Sequence, residues 1–561
     1  MQKRWKISDP NPKLQAHLSD ALDVHPIISQ LLINREITDI QEAKDFLSAD
    51  LSGLHDPFLF KNMDRAVARI KLAKEKAEKV LVIGDYDVDG ITASVLLNNV
   101  LTQMGIGVMH HIPHRMQDGY GMNEGMAPFA KEKKADLVIA VDCGITSKKE
   151  VNLINAQGID VIILDHHEPD EELPDAVAII NPKQKGCPYP FKHLAAVGLV
   201  AKLTQALLGR KESEKVLDLA AIGTVADVVP LRGENRIFVK SGLPKINTTS
   251  NKGLLALLDI TKIRGKKMSP FHIGFILGPR INAAGRMDSA QASLDLFLSD
   301  DHQKARDLAR TLDRHNLDRQ KIQSQMVDEA FDIVEREVHF KDQRIIVLAK
   351  EGWHKGVLGI VASKLADKYY RPAIVISIEN GVGTASARSI DGFHLHEALT
   401  ACAKYLENYG GHAGAAGLTI KQENIDPFRV MINEIAQETL EVKKLVPTLD
   451  IDCEIPLASI TMELAQIIDA MEPFGEGNPT PVFCSRGVKV KSSPMVLGKN
   501  TLKFWVTDGT SSVSAVGFGM AEYKAMIKIG QKIDLAYEIA IDDWNKQPTT
   551  QLMLRDIRGT G

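Results

Sequence analysis

The sequence predicts a multidomain α/β protein with a parallel-sheet domain, a long connecting helix, a second α/β domain and a small C-terminal β-barrel. Three observations carry this expectation. At 561 residues the chain has room for three or four domains. From Val80 onward, short β-branched runs alternate with amphipathic stretches, the pattern of βαβα units around a buried parallel sheet. A charged, helically spaced stretch over residues 301–338 contains no Gly or Pro, and beyond Pro447 the pattern breaks into short alternating segments with turns.

Taken in order, residues 1–75 mix short helical patterns with turn residues such as Asp56-Pro57 and Asn62, and read as an N-terminal helical cap. Residues 76–300 hold the strand runs 80–83, 107–112, 137–141, 161–164 and 176–180, with helices at 91–104 and 148–156 between the earlier ones. In such a sheet, ligand chemistry belongs just past the strand C-termini. Residues 301–340 form the connecting helix, its apolar side chains Ala305, Leu308, Leu312, Leu317, Ile322, Met326, Ala330 and Ile333 suited to bridging two domains. Residues 341–447 form the second α/β domain, with strands at 345–348 and 373–378, and residues 448–561 form the barrel.

The chain is 44% hydrophobic and 25% charged, which excludes disordered and collagenous classes. No apolar run approaches the ~20 residues of a membrane span. The opening Met1-Gln2-Lys3-Arg4-Trp5-Lys6 has no apolar segment behind it, so a cytoplasmic protein without signal peptide or anchor is expected. Five scattered cysteines without a C-x-x-C pair argue against disulfides and thiolate zinc. With 68 basic and 72 acidic residues, net charge −4, any anion binding must be local.

The chemistry gathers at strand ends. Asp85-Tyr86-Asp87-Val88-Asp89-Gly90 places three carboxylates at alternate positions where the first strand of residues 80–83 leaves the sheet. A calcium EF-hand loop shares this pattern but requires Glu at its twelfth position, which here is Leu96. The following strands run into Asp142-Cys143-Gly144 and into Asp165-His166-His167. One such Asp is commonly a helix cap. Three at neighbouring parallel strand ends can converge on one point, and a divalent cation is what would neutralise them. Oxygen and imidazole donors suit manganese, magnesium or iron, and a pair of ions is the usual arrangement for phosphoester hydrolysis. Asp227, at the end of an apolar helix, reads alone as a turn residue and joins the set only in this company.

Asp87-x-Asp89-Gly90, Asp142, Asp165-His166-His167 and Asp227, in that order, resemble the motifs of the DHH phosphoesterase superfamily. Within it the chain resembles, end to end, the bacterial RecJ family of single-strand-specific 5′-to-3′ exonucleases. Supporting stretches are residues 84–90, Pro113-His114-Arg115 with Gly119-Tyr120-Gly121, and residues 223–230, 278–287, 410–417 and 472–479. The resemblance implies a DHH domain, a DHHA1 domain and an OB-like barrel. It implies two divalent ions, Mn2+ or Mg2+, bridged by Asp142, one completed by Asp89, His166 and Asp227, the other served by Asp87. Many DHH enzymes have a His four residues before the equivalent of Asp87; here it is Ile83, so Asp85 is expected as a substitute ligand or a supporting group. His167 is expected to act in catalysis, as a support or a phosphate contact.

Substrate grip is expected from the second α/β domain. Gly410, Gly411 and the Gly/Ala run around His412 let backbone amides approach a phosphate, or else mark a tight packing crossing. His412 offers a donor to a phosphate or leaving oxygen. Ser386, Arg388 and Ser389, expected just after a strand, suit a phosphate or else form a surface turn. Arg280 and Arg286 offer the same contact or structural ion pairs, and Trp353 a stacking or phosphate contact or burial. In the barrel, Lys489, Lys491, Lys499, Lys503 and Trp505 combine charge with an aromatic ring, as OB folds do on single strands.

The expected function is metal-dependent hydrolysis of single-stranded DNA from its 5′ end, releasing 5′-mononucleotides, in repair and recombination. Selectivity would come from a channel between the α/β domains too narrow for duplex. A monomer is expected, with single-strand-binding protein and a RecQ-type helicase as the partners the family implies. The alternatives are a short-oligonucleotide or cyclic-dinucleotide phosphodiesterase, whose relatives are shorter, and a non-catalytic DHH scaffold, which would have lost ligands that are all present here.

Overall fold

The structure is a computed structural model that describes residues 3–114, 121–542 and 547–559. Arg115, Gly119 and Tyr120, which carry part of the resemblance, lie outside the described residues. The architecture is the expected one of two α/β domains, a long connecting helix and a barrel.

The N-terminal segment opens with a strand, β1 (Arg4–Ile7), where only helices were expected. Its partner lies more than 400 residues away, so no local pattern reports it. Helices Pro12–Leu22, Pro26–Asn34 and Ile40–Ser48 follow, started by Asn11, His25 and Asp39, whose side chains accept backbone N–H groups of the first turn. Helix Met63–Glu75 packs Met63, Ala66 and Ile70 into the core of the first sheet.

That sheet contains β2 (Lys79–Ile83), β3 (Gly107–His111), β4 (Leu137–Val141), β5 (Asp160–Leu164) and β6 (Ala178–Ile180), all parallel, in the order β3-β2-β4-β5-β6. Separate apolar clusters cover its two faces, which is why its strands read as continuous apolar runs. The chain leaves β2 to one side and returns to the other, so the order reverses between β2 and β4. The crevice beyond that reversal is where an open α/β sheet binds its ligand.

The connecting helix is His302–Glu337, 36 residues or roughly 54 Å at 1.5 Å per residue. Its first half buries Ala305, Ala309 and Leu312 in the first domain and its second half buries Met326, Ala330 and Val334 in the second. The second sheet contains β7 (Ile346–Glu351), β8 (Ala373–Glu379), β9 (Val382–Arg388), β10 (Leu406–Gly411) and β11 (Ala415–Lys421), in the order β10-β11-β9-β8-β7. Only β7 and β8 pair in parallel; the rest is antiparallel.

β12 (Thr448–Ile451) pairs in parallel with β1. The barrel follows with β13 (Cys453–Glu454), β14 (Phe483–Val490), β15 (Met495–Leu497), β16 (Thr501–Thr507), β17 (Ser512–Phe518), β18 (Lys532–Asp542) and β19 (Thr549–Gly559), closed by pairing of β14 with β16. Its core is shared with the N-terminal helices: Ile28, Leu31, Leu32 and Phe46 pack in one cluster with Leu502, Phe504, Ile533 and Leu535. Arg236 fastens this assembly to the first domain. Fully buried, it donates to the carbonyls of Phe46, Met471, Glu472 and Pro473. Among the described residues no helix is long and apolar enough to cross a membrane.

Candidate metal centre

Beyond Ile83 the chain turns through Asp85 into helix Val88–Gln103, for which Asp87 is the N-cap; its Oδ1 accepts from the Gly90 amide at 3.0 Å. Asp89, in the first turn, is buried. Its Oδ2 accepts from the Ala196 amide at 2.6 Å and its Oδ1 from Val197 at 2.9 Å, at the start of helix Ala196–Leu208. Two glycines make this closeness possible. A Cβ on Gly90 would stand 2.6 Å from the Asp85 carbonyl oxygen, and one on Gly223 would meet Thr92 Oγ1 and stand 2.8 Å from Asp89 Oδ1.

Asp142 leaves β4 with φ 63°, in the left-handed region that non-glycine residues rarely adopt. Its amide still donates to Leu164 O at 2.9 Å, so the sheet ladder extends into the site. Asp165, past β5, faces inward. Its Oδ2 accepts from the Ile145 amide at 2.9 Å, and its Oδ1 accepts from the His167 amide at 3.1 Å and lies 2.7 Å from His167 Nδ1. It thus positions His167 and braces the loop after β4. His166 Nε2 lies 3.2 Å from Asp142 Oδ1 and 3.5 Å from Asp227 Oδ2.

Three overlapping groups result, each with donor atoms within 4.8 Å of one another: Asp89, His166 and Asp227; Asp85, Asp87 and Asp142; Asp142, His166 and His167. The electrostatics are those of crowded, buried carboxylates. Burial, then the neighbouring carboxylates, push Asp142 well above the usual carboxylate range, Asp227 up to about 9 and Asp89 up to about 7. Burial, then His167, pulls His166 down to about 3, leaving a neutral imidazole of the kind metals bind. At Asp165 burial raises the pKa, but the bonds from His167 and Ile145 outweigh it and the net shift is downward. At His167 burial lowers the pKa, and the Asp165 bond outweighs that. His166 Nε2 and Asp227 Oδ2 are buried without a hydrogen-bond partner among the described residues. Carboxylate and imidazole donors with orphaned atoms aimed at a shared space fit hard divalent ions such as Mn2+ or Mg2+. Cys143 is buried, its thiol pushed up by burial, and belongs to none of these groups. Ile83 is buried in β2, paired with His111, and Asp85 stands with Asp87 and Asp142.

The other expected residues fare differently. Ser386 and Arg388 lie on β9 itself, not after it, and face Gly359: a Cβ there would stand 3.0 Å from Ser386 Oγ and 3.2 Å from Arg388 Nη2. Ser389 donates its hydroxyl to Phe393 O at 2.7 Å, so it braces its own loop. Arg280 takes the ion-pair alternative, with Asp313 on the connecting helix at 2.8 Å. Arg286 donates to Gly356 O at 3.2 Å and joins the two α/β domains. Trp353 is 5% exposed and donates to Glu329 at 3.0 Å; a ring packed against the connecting helix offers no face for stacking. Gly410 and Gly411 end β10 and His412 follows in an exposed hairpin turn, its amide bonded to Ala415 O at 2.8 Å. The glycine-rich run is therefore a hairpin. Lys499 is exposed between β15 and β16, and Lys503 is half-buried on β16, near the exposed Trp505. Sequence reasoning missed the positioning role of Asp165 and the amides of Ala196 and Val197; the small-residue run Ala195-Ala196-Val197-Gly198 before an apolar helix is their only trace.

A parallel sheet whose reversal carries an acid and histidine cluster, linked by a long helix to a second α/β domain, defines a DHH-type protein. Family models match accordingly: the DHH family N-terminal domain over residues 79–224, the DHHA1 domain over 342–438 and the RecJ OB domain over 451–556. The single-stranded-DNA-specific exonuclease RecJ of Bacillus subtilis is 40% identical over 99% of this chain and 70% of its own length. That of Escherichia coli is 31% identical over 99% of both chains. The crystal structure of RecJ from Thermus thermophilus in complex with Mn2+ superposes with a TM-score of 0.85 at 27% identity, covering 100% of this chain and 80% of that one. The chain belongs to the RecJ family of single-stranded-DNA-specific exonucleases.

Proposed function

We propose that this protein is a metal-dependent exonuclease that hydrolyses single-stranded DNA from the 5′ end, releases 5′-mononucleotides and serves DNA repair and recombination. The observation that carries the reading is the pair of ligand groups, Asp89-His166-Asp227 and Asp85-Asp87-Asp142, set side by side at the sheet reversal with Asp142 and His166 in contact. Two divalent ions held there would activate the attacking water and offset the charge that develops on the phosphate. Asp142, a member of one group, reaches His166 of the other at 3.2 Å and would bridge them, and the Ala196 and Val197 amides fix the Asp89 carboxylate in one orientation. His167, oriented by Asp165, faces the same space and donates to a phosphate oxygen. Arg388 and Ser386, with the exposed His412 turn, hold the backbone or a terminal phosphate on the second domain, and the barrel lysines and Trp505 guide the strand. Single-strand-binding protein and a RecQ-type helicase are the partners this activity would use.

The test is digestion of 5′-labelled and 3′-labelled single strands and a blunt duplex with manganese, magnesium or chelator. Early release of labelled mononucleotide from the 5′-labelled single strand alone, lost with chelator, is expected. Cleavage confined to di- or trinucleotides would replace this reading with a small-substrate phosphodiesterase, and binding without cleavage with a scaffold.

A further inference from the structure

Phe275 is 72% and Phe271 59% exposed, an unusual state for two large apolar rings side by side. The rings stack on each other, with centroids 5.0 Å apart and planes 23° from parallel. Beneath them the backbone widens into a π-turn at Ile273–Leu277, in which the Gly278 amide bonds to Ile273 O five residues back. Such turns recur at functional sites because they re-aim side chains. Ile273 and Leu277, from the same turn, are fully buried in the first domain's core, so the segment has an inward apolar face and a separate outward aromatic one.

Both rings line a cleft of about 650 Å³. One wall is formed by Ala226 and Val228, the residues on either side of the metal-site Asp227. The others come from Arg286, from Arg319 on the connecting helix, from Ile360 of the second α/β domain and from Arg555 of the barrel, so the cleft adjoins every part of the molecule that the site uses. Arg319 donates to Asn316 at 2.9 Å and Gln323 at 3.1 Å, both neutral, and no carboxylate pairs with it among the described residues. Its charge is available to a phosphate.

We propose that Phe271 and Phe275 form a base-stacking platform that grips the strand a few nucleotides from the metal centre, with Arg319 set against its backbone. The proposal rests on the single-strand exonuclease reading and extends it to the source of strand selectivity. Unpaired bases have free π-faces to lay on the rings, whereas in duplex those faces are already covered by neighbouring bases. Arg286, Arg319 and Arg555 line the cleft against one acid, Glu476; Arg555 is paired with Glu538, so Arg319 carries the contact to a phosphate, and Ala226 and Val228 place Asp227 beside the wall.

The experiment uses the full chain in chelator, so that nothing is cleaved. A 3′-fluorescein oligothymidylate of about a dozen nucleotides, within the span of single-strand sites, is made with one abasic position walked along it, and affinity is read by anisotropy. The parent protein should lose roughly 5- to 100-fold in affinity at one or two internal abasic positions, the size of one lost stacking contact. F271L/F275L should bind the intact strand correspondingly more weakly and show no sensitive position there, while F271Y/F275Y should keep the parent pattern. Both side chains are exposed, and matching melting curves confirm the fold. Sensitivity that persists in the leucine variant, or an abasic scan with no sensitive position, overturns the platform; so does a leucine variant that binds like the parent, since then any apolar group suffices. A parent that binds no strand overturns the exonuclease reading itself, and this one with it.

Discussion

Replacing Gly223 by Ala would test whether the Asp89 carboxylate must sit where it does, without touching any ligand. Gly223 is buried in helix Leu217–Ala226, where Ala by itself should gain about 1 kcal/mol of helix propensity. The new methyl would meet Thr92 Oγ1 and stand 2.8 Å from both Asp89 Oδ1 and Val197 Cγ1, about 0.6 Å short of the 3.4 Å at which ordinary contact begins. Overpacking of this kind costs about 1–3 kcal/mol. The two effects nearly cancel in the fold, and the melting temperature should fall by no more than a few degrees. They do not cancel in the site. Val197 also donates to Asp89, so helix and carboxylate move together, by about three times the ~0.2 Å tolerance of metal–ligand distances. Manganese affinity, measured by calorimetric titration of parent and variant, should drop at least ~10-fold, with activity recovered only at high manganese. A variant with parental manganese affinity and a raised melting temperature would refute the reasoning, because the helix would have absorbed the methyl without moving Asp89.

Asp142→Ala should abolish hydrolysis while raising the melting temperature of the metal-free protein, since it removes a buried carboxylate that its neighbours repel; retained turnover would end the bridging role. Asp165→Asn should lower kcat by ~10²-fold with the fold intact, because an amide has one acceptor oxygen and cannot hold His167 and Ile145 together as the carboxylate does; unchanged kcat would make Asp165 merely a loop brace. Arg236→Met leaves the Phe46 and Glu472 carbonyls without their side-chain donor, at about 1–3 kcal/mol each, while Asn478 still donates to those of Met471 and Pro473. Limited proteolysis should then open residues 471–479 before the first α/β domain melts; a single parental transition would argue against Arg236 as the fastening. Trp353→Phe should cost about 1–2 kcal/mol in denaturant unfolding and leave strand affinity as it is. A tenfold loss of affinity would restore the stacking role.

The first sheet was legible because its strands are buried on both faces, and Asp142 and Asp165 stood out because each ends an apolar run, of five and four residues, at the same relative place. Asp227 was legible only through its companions, since nothing in residues 219–230 distinguishes a ligand from a turn. β1 was not legible: four residues that alternate weakly become a strand only because Thr448–Ile451 arrives to pair with them. For Trp353 and the glycine-rich run around His412 the sequence left alternatives open for a shared reason. Residue types announce what a side chain can do, but whether a ring faces a core or a cleft, and whether glycines form a nest or a hairpin, depends on neighbours far along the chain. Phe271 and Phe275 show the converse, since their spacing of four puts both on one helix face, and only the packing of Ile273 and Leu277 into the core decides that this face points outward.

The shared core of the N-terminal helices and the barrel sets an order on the making of this protein. Ile28, Leu31, Leu32 and Phe46 leave the ribosome long before the barrel residues that share their core, the last of which are Leu552, Leu554 and Ile557. At about 5–20 residues per second, those apolar faces wait roughly half a minute to a minute and a half for their partners. Meanwhile the first α/β domain can fold behind them, leaving the helices as an uncovered, adhesive segment. A nonsense mutation that removes only the barrel would therefore strip these helices of their cover as surely as it removes the barrel itself.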